Sequence, residues 1–217
     1  MGSSVSLGIH ESQSRMWENF VGRSRAFWEH WLPRASQAFP NAWEAVDLDA
    51  LVFAINDVRC SFIRVDADEA TYNLHIVLRF ELEQALIAGD LAVADLPAAW
   101  NERMVRDLGS APPDDAQGCL QDIHWSGGSF GYFPTYTLGN LYAAQFFAKA
   151  QAELGDLGEQ FRRGEFLPLR EWLREKIHRH GHRYRAADLV VAVTGEPLNP
   201  AYLLRHLREK LGTLYGV

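Results

Sequence analysis

A chain of 217 residues with 47% hydrophobic, 12% aromatic and 23% charged side chains is long enough for one substantial core and has the composition of a globular protein. Its 28 acidic residues against 21 basic ones give a formal charge of −7, which argues against a nucleic-acid backbone as partner, and no Lys/Arg block suited to anionic lipid is present. The sequence has no run of about 18 apolar residues and no basic segment followed by an apolar stretch at its N-terminus, so neither a membrane-spanning helix nor a signal peptide is expected.

The pattern is mostly helical. Trp17, Phe20, Val21, Phe27, Trp28 and Trp31 recur at spacings of three, four and seven, one face of a long helix from residue 10 to about residue 38. Pro40 and Asn41 end it or begin the next turn. A second helix is expected from Asp47 to Asp57. Residues 59–65 are short and rich in β-branched and aromatic side chains, which predicts a strand, or one arm of a short hairpin within residues 52–65. Asp68 then reads as the N-cap of a helix that runs to about Ala88 and stops at Gly89. Another helix spans about 96–108. A loop with two prolines and two glycines covers 109–118, and a glycine-rich aromatic stretch covers 125–134. Helices follow at about 135–153, 166–180, 186–193 and 200–211. The expected fold is a mainly α-helical, multi-helix array over residues 1–217, in a single domain.

Cys60 and Cys119 stand far apart without a C-x-x-C spacing and read as free thiols of a reducing compartment. The protein is therefore expected in the cytoplasm.

Four clusters carry groups capable of chemistry, and each has an ordinary structural explanation beside the functional one. Glu11, opening the long helix in the run HESQSR, either complements the helix dipole or serves as one zinc ligand, although a catalytic zinc needs three protein ligands and an open position. Arg64, in IRVDAD, is either a surface partner of Asp66, Asp68 or Glu69 or a fork for a carboxylate. His124, Tyr132 and Tyr136 lie close in sequence among glycines, where they are either satisfied core aromatics or donors to a developing oxyanion. His178, His180 and His182 suggest metal, yet they sit at a helix end among basic residues, as cations at a C-terminus do.

The first three clusters together resemble a family. HESQSR (residues 10–15), IRVDAD (63–68) and GCLQDIHW (118–125) are similar, in this order, to the HESQSR, IR-x-x-AD and G-x-x-QD-x-HW motifs of the carboxypeptidase Taq metallocarboxypeptidases. The text around them, including DEATYNLHIVLRFELE and SGGSFGYFPTYTLGN, fits as well, from about Val5 to the C-terminus. The resemblance implies a mostly helical enzyme with a deep groove and one divalent metal, zinc or cobalt. It implies removal of C-terminal residues from peptides with broad specificity, and a cytosolic homodimer. Carried over, Glu11 corresponds to the third metal ligand, and His10 and Gln13 are neighbours that orient it. Arg64 is the group that binds the peptide's terminal carboxylate. His124, Tyr132 and Tyr136 bind the scissile carbonyl or its oxyanion, the two tyrosines unranked, and Gln121 and Asp122 fix their loop.

One departure is large. The family's H-E-x-x-H supplies two histidine ligands and the glutamate that activates the metal-bound water. Here His10-Glu11 is followed by Ser14 in place of the second histidine, and no other His precedes a Glu. The expectation is that this chain corresponds to the C-terminal part of a longer enzyme and is inactive alone, its partner being the N-terminal half. The competing expectation is a non-catalytic helical interaction or dimerisation module. A third, weaker one is metal storage by His178, His180 and His182.

Overall fold

The computed structural model describes residues 3–43 and 45–217; Met1, Gly2 and Glu44 lie outside that description. Among the described residues the α-helices are α1 (Leu7–Arg15), α2 (Arg25–Ala38), α3 (Pro40–Trp43), α4 (Leu48–Ile55), α5 (Tyr72–Ala88), α6 (Leu96–Leu108), α7 (Pro134–Leu154), α8 (Leu157–Arg162), α9 (Leu167–Lys176), α10 (Ala186–Thr194) and α11 (Ala201–Tyr215). None is long and apolar enough to cross a membrane.

Local chemistry explains most of the ends. Ser6, Ser24, Asp47 and Asp156 each accept a hydrogen bond from a backbone N–H in the first turn of α1, α2, α4 and α8, where the helix itself leaves donors unmet. Gly89 and Gly109 close α5 and α6 at φ of 80° and 84°, a conformation that costs a Cβ-bearing residue far more. The long first helix is divided: α1 passes into a π-helical segment, Met16–Gly22, before Ser24 restarts α2. Asp68 caps a turn rather than a helix. Its carboxylate accepts from the Ala70 and Thr71 N–H groups and from Thr71 Oγ1, and α5 begins one turn later.

The expected strand or hairpin near residues 52–65 does not form, and no strand occurs among the described residues. Residues 52–55 belong to α4, and Arg64–Asp66 is a 3₁₀ turn. The backbone there bonds to a side chain instead of a ladder: Arg64 N–H donates to Gln121 Oε1 at 2.9 Å, and Phe62 C=O accepts from Gln121 Nε2 at 2.9 Å. A strand needs a neighbour to satisfy its backbone, and one glutamine has taken that place.

The chain groups into two compact units, the described residues up to Asn56 with Leu138–Val217, and Asp57–Thr137. The first unit has a core of Ile9, Met16 and Phe20 with Ala143 and Phe146 of α7, Leu157 and Phe161 of α8, Leu169 and Trp172 of α9, and Val190 of α10. In the second, α5 packs on α6 through Leu78, Leu82, Trp100, Met104 and Leu108. A smaller cluster of Ala67, Tyr72, Ile76 and Phe133 adjoins it, with Trp125 packed against both. Both cysteines are free, Cys119 buried and Cys60 exposed.

Candidate active-site residues

In the unit Asp57–Thr137, one carboxylate gathers two of the sequence motifs. Asp122 Oδ1 accepts from Arg64 Nη2 at 2.6 Å and from Nε at 3.1 Å. Its Oδ2 accepts from Arg79 Nε at 2.7 Å. Arg64 is 5% exposed and Arg79 is fully buried, so these are charge-assisted bonds inside the protein rather than surface pairs. Arg64 therefore pairs with none of Asp66, Asp68 and Glu69. Its Nη1 donates to Tyr72 Oη at 2.9 Å, and its ring neighbours include Tyr136, 4.8 Å from the guanidinium carbon. Gln121 fastens the loop below, donating to Phe62 C=O and to Gln117 C=O.

The loop carries the remaining groups. His124 Nε2 stands 3.0 Å from Tyr136 Oη, and His124 Nδ1 stands 3.7 Å from Asp122 Oδ1. That second distance is an electrostatic contact, longer than a hydrogen bond. The His124 ring packs at 4.4 Å from Phe133 and 5.4 Å from Tyr132. Glu83, nearly buried, accepts from Trp125 Nε1 at 2.8 Å and from Gly131 N–H, tying the far end of the loop to α5. Gly131, at φ of 80°, adopts the left-handed conformation this approach requires.

Arg79, His75 and Glu83 were not singled out from sequence. The signal is present all the same. Tyr72, His75, Arg79 and Glu83 follow one another at spacings of three, four and four, a polar row on one face of α5 that is buried along its whole length.

Electrostatics follow from this packing. Burial opposes ionisation of Asp122, yet the hydrogen bonds and charges of Arg64 and Arg79 outweigh it and hold the carboxyl below its usual range. Burial likewise works against the Arg64 cation, and Asp122 and Tyr72 outweigh it, so its pKa rises. Burial dominates at Arg79 and lowers it to about 10, which leaves it charged at neutral pH. His124 is lowered mainly by burial, against the pull of Asp122. His75 is fully buried, neither ring nitrogen has a hydrogen-bond partner among the described residues, and burial followed by the charges of Arg79 and Arg64 depresses it to about 4.

The sign of the His75 effect is definite. Its folded pKa lies below the unfolded value of about 6.5, so the unfolded chain binds the proton first. Stability is complete above about pH 6.5 and falls as pH drops towards 4, by at most about 3 kcal/mol. Depressed Asp122 extends the loss to lower pH. Urea midpoints at pH 7.5 and pH 4.5 should differ accordingly, and His75→Gln should flatten the part of the profile between pH 6.5 and 4. An unaltered profile in that variant removes His75 as the cause.

Glu11 belongs to the other unit, on α1. Its Oε1 lies 3.3 Å from Arg15 Nε, and its Oε2 accepts from Ser14 Oγ at 3.2 Å. Arg15 also donates to Glu18 at 3.0 Å, which in turn accepts from Arg23 at 2.9 Å. Gln13 turns elsewhere: its Nε2 donates to Ser12 Oγ at 2.9 Å, and its Oε1 lies 2.9 Å from His178 Nε2. His10 is exposed and, with Gln13, Ser14 and His178, lines a cavity of about 350 Å³. The stem of Glu11 lies on Gly139 of α7, where a methyl group would come within 2.6 Å of its Cγ.

Glu11 suits one corner of a metal site. It is an ionisable carboxylate on a stem that sits in a fitted cradle, but it is a single donor. Among the described residues no three His, Cys, Asp or Glu groups converge as a metal would need. His178, His180 and His182 form no such group among the described residues: His178 turns to Gln13, and His180 packs edge-on to Tyr184 at 5.2 Å.

Comparison with known proteins agrees with these motifs. The family described as carboxypeptidase Taq (M32) metallopeptidase matches residues 1–211. Thermostable carboxypeptidase 1 of Thermus thermophilus is 56% identical over 99% of this chain, and carboxypeptidase 1 of Bacillus subtilis is 46% identical over 99% of it. The chain spans 42% and 43% of those two proteins. Among solved structures, the M32 carboxypeptidase of Deinococcus radiodurans superposes with a TM-score of 0.96 at 47% identity, over 100% of this chain and 44% of that one. A metallocarboxypeptidase of Trypanosoma cruzi does so with a TM-score of 0.90 at 40% identity, over 96% of this chain and 44% of that one. Ordered motifs, a helical fold and near-complete coverage by the family together mean that the chain belongs to the carboxypeptidase Taq metallopeptidases, of whose curated relatives it spans about two fifths.

Proposed function

We propose that this chain supplies the C-terminal share of the active site of a metal-dependent carboxypeptidase that releases C-terminal residues from peptides. The observation that carries the reading is the Arg64–Asp122–Arg79 knot, which joins the IRVDAD and QDIHW motifs and sets His124 against Tyr136. Glu11 is one ligand of a zinc or cobalt ion, and that ion, when bound, polarises the scissile carbonyl and acidifies its water.

The other roles belong to this chain's own side chains. Arg64 and Arg79 share one carboxylate, so the knot itself carries a net positive charge that favours a peptide's terminal carboxylate. Arg64 is committed to Asp122 and Tyr72, and it acts on that carboxylate through charge and its remaining N–H groups. Tyr132 and the hydrogen-bonded pair of Tyr136 and His124 bind the scissile carbonyl or its oxyanion, the pair keeping one proton between them and offering the other. His124 remains neutral near pH 7 because burial disfavours its cation, so its proton serves as a hydrogen-bond donor rather than as a charge. Gln121 and Asp122 hold the loop in place, and Gln13 with His10 flanks Glu11 on α1.

Without the H-E-x-x-H pair of ligands and its general base, the chain alone should not turn over peptides. The purified chain is assayed on a blocked dipeptide with added zinc and cobalt, alone and after mixing with a polypeptide that carries the family's H-E-x-x-H segment. Activity only on mixing supports the reading; robust EDTA-sensitive turnover by the chain alone sinks it. One observation favours the interaction-module alternative. Leu74, Val77, Phe80 and Ile87 leave an exposed apolar stripe on α5, with Ile87 70% accessible. Stable self-association that excludes the added polypeptide would favour that alternative. The enzyme reading also carries a cytoplasmic location and a homodimer.

A further inference from the structure

We propose that Gly139 is a positioning residue for the metal-ligating carboxylate, a gap in α7 that fixes the side-chain conformation of Glu11. The proposal rests on Glu11 being a metal ligand, and it adds how that ligand is held.

The geometry is confined to α1 and the part of α7 in the same unit. Two glycines interlock the helices. A Cβ on Gly8 of α1 would lie 3.2 Å from Tyr142 Cε2 and 3.3 Å from Leu138 Cβ, a tight but yielding contact with side chains. A Cβ on Gly139 would lie 2.6 Å from Glu11 Cγ, 2.8 Å from its Cβ and 3.2 Å from its backbone carbonyl carbon. Ordinary carbon contacts begin near 3.5 Å, so no residue other than glycine fits without moving Glu11. Gly139 is buried, which leaves the displaced stem no room on that side.

The other end of Glu11 is held too. Ser14 Oγ donates to Oε2 at 3.2 Å, and Arg15 Nε lies 3.3 Å from Oε1. Arg15 is itself braced by Glu18. A free glutamate loses rotamer entropy when it is fixed. Here the stem is pinned by the glycine gap and the head by two neighbours on its own helix. Stem and head are thus both restrained before any ion arrives, as a ligand of defined geometry requires. This also gives the HESQSR motif a division of labour: Glu11 is the donor, and Ser14 and Arg15 set its head.

The test has a control built into the fold. Gly8→Ala crowds the same helix crossing without touching Glu11, whereas Gly139→Ala presses on Glu11 directly. In the chain without metal, NMR three-bond couplings should report one χ1 rotamer for Glu11. Gly139→Ala should shift or average them, and Gly8→Ala should not. If Gly139→Ala folds poorly, Gly139→Ala/Glu11→Gly, which moves the bulk from one helix to the other, should recover most of the lost urea midpoint. In the chain mixed with the H-E-x-x-H polypeptide, Gly139→Ala should weaken cobalt binding about 10–100-fold, and Gly8→Ala less than about 3-fold. Unchanged couplings in Gly139→Ala overturn the proposal, as does a double variant no more stable than the single one, or equal weakening of cobalt by both glycine variants. Cobalt binding unaffected by Glu11→Gln would instead overturn the metal-ligand reading, while the couplings still decide whether Gly139 fixes the side chain.

Discussion

Asp122→Ala should lower the unfolding free energy by about 3–5 kcal/mol, the largest single effect expected in this chain. The carboxylate is the counter-ion of two guanidinium groups, one 5% exposed and one fully buried. Removing it leaves both cations desolvated beside each other, with Arg79 stacked 4.6 Å over Trp100 and unable to reach water. Arginine does not escape by losing its proton. The penalty is one of unpaired charge more than of a lost bond, so a second change should relieve it. Asp122→Ala/Arg79→Met should recover at least half of the loss, because the methionine fills apolar space without carrying charge. Urea unfolding of the single and double variants decides the matter. A single-variant loss under about 1 kcal/mol would show that water reaches the knot after all.

Tyr136→Phe should have the largest effect on chemistry. In the chain mixed with the H-E-x-x-H polypeptide, kcat should fall about 10²–10³-fold with KM little changed, the signature of a donor engaged only as the oxyanion develops. The phenol stands 3.0 Å from His124 Nε2, so its loss also removes the hydrogen bond that orients the imidazole. Tyr132→Phe is the necessary comparison. Its ring lies 5.4 Å from both His124 and Tyr136, near enough to share the task. A larger fall in Tyr132→Phe would reverse the assignment between the tyrosines. Unchanged kcat in both variants would remove the tyrosines from the oxyanion role.

Several features were legible without coordinates because their causes are local. Helix ends at Gly89 and Gly109 follow from the backbone freedom of glycine, and the start at Asp47 follows from a side chain that meets an N–H three residues on. Both depend on neighbours in sequence. The strand expected at residues 59–65 shows where that logic stops. β-branched and aromatic side chains indicate a half-buried extended segment, but whether it becomes a strand depends on what lies alongside. Here that neighbour is Gln121, more than fifty residues away in the chain.

The site divides in the same way. Order and spelling of HESQSR, IRVDAD and QDIHW placed the chain in its family, and the missing H-E-x-x-H was plain from the string of residues. Asp122 as the meeting point of Arg64 and Arg79 was not, since those pairs span 58 and 43 residues. Nor was the role of Gly139, which looks like any glycine in an apolar helix until α1 is laid across it. Residue identity and near-neighbour spacing establish which groups are available and which short segments coil. Counter-ions, clearances and buried protonation states depend on contacts made at long range, and those exist only once the chain has packed.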